Sequence, residues 1–271
     1  MAVTWVAGTS LAHNLASTTI SASTPAGIAN GDKLIAGVFA RYVPLTPPAG
    51  WTQVIQTPQF FEVGGEWFRI IVFSKDSVTT ADASTSFTWT QATVTGTTRM
   101  GVVYAVLRGV GSLVASAQTT LVEVNTWSIA PPTLTASADG QMLLMFGSTV
   151  LQSGTQTPTA PAGATLFTGG AASADQRLAG AYQARDNGQS NSGSFNLAPT
   201  GGATSNGLGA VTLRFSSAPS NGANVALPRL ATTGGNFPKG NAAIRLPRLF
   251  APEKPAAPSF WTRRERAREL A

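Results

Sequence analysis

Few ionisable side chains in this chain could act together on a substrate. His13 is the only histidine, and the sequence contains no cysteine. A single imidazole excludes a two-histidine metal site and leaves His13 as the sole histidine base for a serine nucleophile. The sequence has no Gly-x-Ser-x-Gly segment that would present such a serine. We therefore expect His13 to lie in a loop without a catalytic role, and we predict no metal and no cofactor.

Paired carboxylates are the second chemistry to consider, because two acids across a cleft can cleave a glycosidic bond. The nearest pairs in the sequence are Glu62 with Glu66 and Asp76 with Asp82. Each pair spans a predicted turn, where an Asp side chain can cap backbone N–H groups. We favour that structural role for Asp76 and for Asp186, its counterpart in the repeat described below. No phosphate-binding loop or EF-hand loop is present, and we do not expect an enzyme.

The composition favours short strands over helices. Hydrophobic residues make up 43% of the chain and charged residues 11%, and 28 glycines and 17 prolines supply turns. No apolar run approaches the roughly 20 residues that cross a bilayer, and the N-terminus lacks the pattern of a signal peptide. We expect a soluble all-β protein without membrane insertion.

Candidate strands with turn residues between them fill residues 1–217. The runs at 33–39 and 100–107 are apolar on both faces, which predicts central strands covered on both sides, whereas 84–89 alternates like a half-exposed strand. This pattern is typical of an antiparallel β-sandwich. The predicted strands lie at 3–7, 18–23, 33–41, 52–56, 66–74, 84–90 and 99–107, and then at 114–118, 126–130, 141–148, 165–168, 178–185, 193–197 and 208–215.

Landmarks in the first half recur in the second after a nearly constant interval of 108 to 110 residues. We interpret residues 1–217 as two pseudo-repeats, 1–112 and 113–217. The junction at 109–112 is too short for a flexible linker, which favours one joint sandwich or jelly roll over two separate domains. The recurring landmarks are Ile20 and Ile129, Leu34 and Met142, Lys75-Asp76 and Arg185-Asp186, Ser86-Phe87 and Ser194-Phe195, and Gly101 and Gly209.

Residues 218–271 have a different composition. They hold nine of the 18 Lys and Arg, three of the 12 Asp and Glu and seven of the 17 prolines, and so carry the whole net charge of +6. This proline density predicts an extended arm. The sequence VALPRL at 225–230 recurs as IRLPRL at 244–249, and a capping box at 262–265 predicts a short terminal helix. We expect the arm to anchor the protein to a partner through Leu227, Arg229, Leu230, Leu246, Arg248, Leu249, Phe260, Trp261, Arg263 and Arg264.

A loop at 59–67 is a second candidate contact surface, through Phe60, Phe61 and Trp67. The alternative, which we favour, is that Phe60 and Phe61 close one end of the sandwich core. The arginines of the arm are interleaved with Pro and Leu rather than massed. Acidic grooves of a protein partner therefore fit the arm better than nucleic acid does.

Four segments together resemble β-sandwich proteins encoded in bacteriophage structural-gene regions, which include tail-fibre, tail-tip and head-decoration components. They are Gly31-Asp32 with the strand after it, Pro48-Ala49-Gly50-Trp51-Thr52, Val72-Phe73-Ser74-Lys75 and the run from Tyr104 to Gly109.

The resemblance covers about residues 1–217 and carries over no functional residue. It implies a virion structural protein, assembled in the host cytoplasm, whose arm binds capsid or tail protein. It also implies a homo-oligomer, with trimers common among fibres. The alternative function is a carbohydrate-binding adhesin that contacts host glycans.

Overall fold

A computed structural model describes residues 2–9, 12–14, 17–41, 43–61, 67–92, 100–122, 126–150, 155–156, 158–168, 176–200 and 207–219. These residues form antiparallel strands and a single 3₁₀ turn, Thr80–Asp82. By Cα proximity, Met1–Gly222 is one unit. Within the described ranges no helix is long and apolar enough to cross a membrane.

The strands, in chain order, are β1 Thr4–Gly8, β2 Ala12–Asn14, β3 Thr19–Ser23, β4 Lys33–Arg41, β5 Leu45–Thr46, β6 Thr52–Gln56, β7 Phe60–Phe61, β8 Trp67–Lys75, β9 Ser86–Gln91, β10 Met100–Arg108, β11 Val110–Val122, β12 Ser128–Ile129, β13 Gln141–Val150, β14 Thr155–Gln156, β15 Thr165–Thr168, β16 Gln176–Arg185, β17 Phe195–Asn196, β18 Pro199–Thr200 and β19 Gly207–Ser217.

Two large sheets dominate the fold. The first large sheet has the order β1-β10-β4-β8-β6, with β2 also paired to β10 and β7 to β8. The second large sheet has the order β11-β19-β13-β16-β15. Two smaller sheets, β3-β9-β5 and β12-β17, are called here the first and second cover sheets, and β14 pairs with β18.

The two large sheets pack face to face around one shared core. Alternate side chains of each strand point to the same face of a sheet, and here the inward residues of both sheets meet. Because the halves bury their apolar side chains against each other, the fold is a joint β-sandwich rather than two separate cores. The shared core is built chiefly from Ile35, Phe39, Phe68, Val72, Val103, Leu144, Phe146, Val211, Leu213 and Phe215.

The cover sheets bury the outer faces of the large sheets. Trp89 of β9 packs on Leu34 and Tyr104 of the first large sheet, and Phe195 of β17 packs on Met145 of the second. The central strands β4 and β10 are consequently buried on both faces, as their continuous apolar sequences predict. Strand β9 alternates between exposed and buried positions, which confirms its prediction as half-exposed.

Each predicted strand coincides with an observed one, and the bounds of β4, β6 and β15 match the prediction to the residue. Strand β11 extends well beyond the predicted 114–118 because the long strand β19 pairs along its full length. The prediction of a loop at His13 was wrong. His13 lies in β2, where it pairs with Gly101 of β10, so a neighbouring strand supplies the ladder that the local sequence does not indicate.

Strand pairing is nested in the same way in both halves. In the first half the outermost pair is β1 with β10, followed by β3 with β9 and β4 with β8. In the second half the corresponding pairs are β11 with β19, β12 with β17 and β13 with β16. The two large sheets thus share one strand order.

The landmark pair Leu34 and Met142, which the sequence places 108 residues apart, is not structurally equivalent. Leu34 packs under the first cover sheet, whereas Met142 points into the shared core. Ile35 and Leu144 both point into the shared core, so an interval of 109 residues matches the faces of β4 and β13. The sequence of β4 or β13 cannot reveal this one-residue shift, because side chains on both faces of each strand are apolar and so do not indicate which face a given residue occupies.

Candidate functional site

The first candidate surface lies where β7 pairs with the beginning of β8. Phe60 is opposite Phe68, and Phe61 is opposite Trp67. Since neighbouring residues of a strand point to opposite faces, Phe68 is fully buried and stacks on Phe39 at a ring distance of 4.9 Å, while Trp67 is 38% exposed. Of the three predicted contact residues, Trp67 is therefore shown at the surface. The side chains of Phe60 and Phe61 and residues 62–66 lie outside the described part of the chain.

The second candidate surface is β11, an outer strand of the second large sheet. Among the described strands it pairs only with β19. Val114 and Leu121 on this strand are 41% and 36% exposed, whereas Val110 and Leu113 pack against the shared core. Strand β7 lies close to β11 and β19, so the first candidate surface adjoins the second. We call Trp67, Val114, Leu121 and the outer edge of β11 the edge surface; the sequence prediction included only Trp67.

Of the described carboxylates that were considered for catalysis, Asp82 caps a turn and Asp76 forms an ion pair. Asp82 accepts a hydrogen bond from the Thr79 N–H at 2.8 Å and closes a capping box on the 3₁₀ turn. Asp76 is 70% exposed and forms an ion pair with Lys33 at 2.8 Å. Asp186 accepts a hydrogen bond from the Gly140 N–H, as its predicted turn-capping role requires. Glu62 and Glu66 lie outside the described residues.

The buried acid Asp32 was not singled out by the sequence, although the Gly-Asp turn that contains it was. Its side chain is 1% exposed and receives two hydrogen bonds from the Arg108 guanidinium, at 2.7 and 2.8 Å, and one from the Ala29 N–H. Burial by itself would raise the pKa of Asp32, but these hydrogen bonds and the charge of Arg108 outweigh burial and hold the pKa below its usual range. The pair joins the turn before β4 to the end of β10.

An aromatic cluster fills the first cover sheet's interface. Because Trp51 follows a Pro-Ala-Gly turn, its sequence context favours a core position over an exposed stacking surface. It is 6% exposed and lies against Phe87, Trp89 and Tyr104, which confirms that prediction. The Trp89 indole donates a buried hydrogen bond of 2.8 Å to the Tyr104 hydroxyl. Burial raises the pKa of Tyr104, although the Trp89 hydrogen bond acts in the opposite direction. Tyr104 therefore remains neutral and structural.

The anchoring arm was predicted from sequence and stays a prediction. The structure does not describe its residues Leu227, Arg229, Leu230, Leu246, Arg248, Leu249, Phe260, Trp261, Arg263 and Arg264. In the described part of the chain, no group of three His, Cys, Asp or Glu side chains could hold a metal ion.

Comparison with known proteins found no match to this chain among family models, curated proteins or solved structures. Its function is therefore inferred from its own residues.

Proposed function

We propose that this chain is a non-enzymatic structural protein of a bacteriophage virion. It would form part of a head decoration, a head fibre or a tail fibre. The resemblance of residues 1–217 supports the virion assignment, and the separation of charge carries the anchoring role. Residues 1–217 hold equal numbers of basic and acidic residues, and residues 218–271 hold the whole excess of +6 together with seven prolines.

Residues 1–217 suit a surface role because several of their described ionisable groups are engaged in holding the fold. Asp32 is paired with Arg108, Asp82 caps a turn and pairs with Lys75, and Asp76 pairs with Lys33. The interior consists of the shared core and the two cover-sheet interfaces, all of them largely apolar. A body of this kind keeps its shape while an arm outside it provides attachment.

The arm has the chemistry of an extended docking segment. In the two Leu-Pro-Arg-Leu clips, at 227–230 and 246–249, leucines would fill apolar pockets of capsid or tail protein, and arginines would pair with acidic side chains there. Proline limits the conformational freedom of the arm before it binds, which lowers the entropy lost on docking. Several copies on one symmetric particle would add avidity.

We also propose that each half is a jelly roll and that the two arose by duplication. Pairing of β1 with β10, β3 with β9 and β4 with β8 is nested, as expected for a long hairpin rolled into two sheets. The pairs β11 with β19, β12 with β17 and β13 with β16 are nested in the same way. Both halves share this connectivity. Equivalent turns support the proposal, because Gly50 and Gly163 each follow Pro-Ala, adopt a positive φ and lie near the end of Lys75 or Arg185.

The arm is tested by incorporation into particles. A chain that ends after Gly222 retains the whole Met1–Gly222 unit and is expected to stay folded but to be missing from purified particles. In the full chain, Arg229→Glu with Arg248→Glu should reduce particle occupancy at least tenfold, as measured by quantitative mass spectrometry. The control, Lys239→Glu, lies between the clips and should change occupancy little. Normal occupancy of the shortened chain would refute the proposal.

The second candidate function is binding of host glycans. The exposed indole of Trp67, next to Phe60 and Phe61 in β7, favours it, because sugar rings stack on exposed aromatic side chains. A glycan array probed with the full chain should give hits that Trp67→Ala removes and Thr165→Ala, at an exposed position on β15, retains. An array without hits for the unaltered chain would exclude this candidate.

A further inference from the structure

We infer that the edge surface joins two copies of this chain, with β11 of one copy pairing antiparallel to β11 of the other about a twofold axis. The second large sheets of the two copies would then form one continuous sheet. This inference goes beyond the proposed virion role and does not depend on it.

The backbone of β11 is suited to strand addition. An outer strand offers unpaired N–H and C=O groups, and proteins usually protect such edges with charges, proline, bulges or short length. Strand β11 is 13 residues long, with the sequence VGSLVASAQTTLV, and it contains no charged residue and no proline. Its irregularities lie before Ala115, and from Ala115 to Val122 it pairs with β19 in unbroken register.

The other outer strands of the large sheets also lack charges and proline, but they are shorter and less regular. Strands β1 and β6 have five residues each and β15 has four, and the pairing of each contains a register shift. The irregular part of β11 is confined to its first residues, so that eight regular residues remain available. Of the four outer strands, β11 therefore offers the longest free edge without a register shift.

Side chains point to the same region. Within the described part of the chain, the large hydrophobic side chains classed as exposed are Trp67, Val114 and Leu121. Two of them lie on β11. Trp67 lies on β8, opposite β7, which is close to β11. Exposed apolar side chains that cluster at one sheet edge are typical of an interface, whereas scattered ones would need no explanation.

A second copy fits this edge better than the chain's own arm. Antiparallel pairing about a twofold axis places a strand opposite itself, and like charges placed opposite each other destabilise a sheet. Strand β11 has no charges to oppose. In contrast, the proline-free stretches of the arm at 220–227, 229–237 and 239–246 contain Gly and Asn, which strands disfavour. The longest stretch, 259–271, carries four arginines and two glutamates, and its capping box predicts a helix rather than a strand.

The mass of the full chain in solution tests the inference. Light scattering after size-exclusion chromatography should show a dimer at about 100 μM, well above the dissociation constant expected for a stable pair. Val114→Lys with Leu121→Lys places two charges on the edge surface and should weaken association at least tenfold. The matched control, Thr90→Lys with Thr165→Lys, adds the same charges to exposed positions on β9 and β15 and should leave the dimer intact. Circular dichroism verifies that both variants are folded.

A cysteine reporter locates the contact, because the chain contains no cysteine of its own. Gln118→Cys, near the centre of the regular part of β11, should cross-link two copies through a short bismaleimide, whereas Thr165→Cys should not. A monomeric full chain, a trimer, or a dimer that resists both lysines of the edge variant would overturn the inference. If the full chain is monomeric but the chain that ends after Gly222 dimerises, the arm occupies the edge in place of a second copy, and the inference is likewise overturned.

Discussion

Gly37 of β4 faces the ring of Phe146 of β13 across the shared core. A Cβ atom added to Gly37 would lie 2.6 Å from two ring carbons of Phe146, which is closer than atoms can pack. The absence of a side chain at Gly37 thus lets the two large sheets approach. Close packing at this position helps the two halves to form one shared core.

Gly37→Ala should lower the free energy of unfolding by about 1–3 kcal/mol, because the new methyl group overpacks the core. Phe146→Leu removes the ring that the methyl group would strike, at its own cost from lost burial. The double variant should therefore be more stable than the sum of the single losses predicts. Urea denaturation of the full chain measures all three, and strict additivity would show that the two residues do not meet.

Tyr104→Phe should cost about 1–3 kcal/mol, since it leaves the buried Trp89 N–H without its acceptor. The ring itself is retained, so packing changes little. The double variant Tyr104→Phe with Trp89→Phe removes both polar partners. Trp89→Phe should therefore cost less stability in the Tyr104→Phe background than in the unaltered chain. A change below about 0.5 kcal/mol for Tyr104→Phe alone would contradict the role of this hydrogen bond.

Asp32→Asn should destabilise the fold at pH 7 by about 1–2 kcal/mol, a modest value because water screens the half-exposed Arg108. The pKa of Asp32 is lowered in the folded chain. Its ionised form therefore contributes stability that is present above the unfolded value of about 3.9 and is lost as the pH falls toward the folded value. The gap between wild type and variant should narrow below about pH 4 in thermal unfolding. A gap that stays constant to pH 3 would disprove the linkage.

Asp82→Ala should cost about 1–2 kcal/mol, because the Thr79 N–H loses its acceptor at the 3₁₀ turn and Lys75 loses its ion-pair partner. Asp76→Ala serves as the matched comparison. The Asp76 carboxylate is 70% exposed, so water screens its ion pair with Lys33 and its loss should cost less than about 0.5 kcal/mol. Denaturant midpoints measure both, and equal losses would indicate that Asp82 is not a structural cap.

The local sequence was sufficient to predict the strands and several turns. The apolar run of β4 and the Pro-Ala-Gly turn before β6 are decided by neighbouring residues, because side-chain alternation and turn chemistry act over a few positions. The burial of Trp51 and the double-faced burial of β10 follow from the same signals. The charge of residues 218–271 is likewise a property of the sequence alone, and so is the proposal of an anchoring arm.

Tertiary structure decided what depends on distant residues. His13 joins a strand because β10 is there to pair with it, and β11 becomes long because β19 runs beside it. The face of Leu34, the partner of Asp32 and the fit of Gly37 under Phe146 likewise depend on which sheets meet. Such contacts are set by pairing and packing between segments far apart in the chain. A local sequence that is equally apolar on both faces of a strand does not indicate which residues will meet.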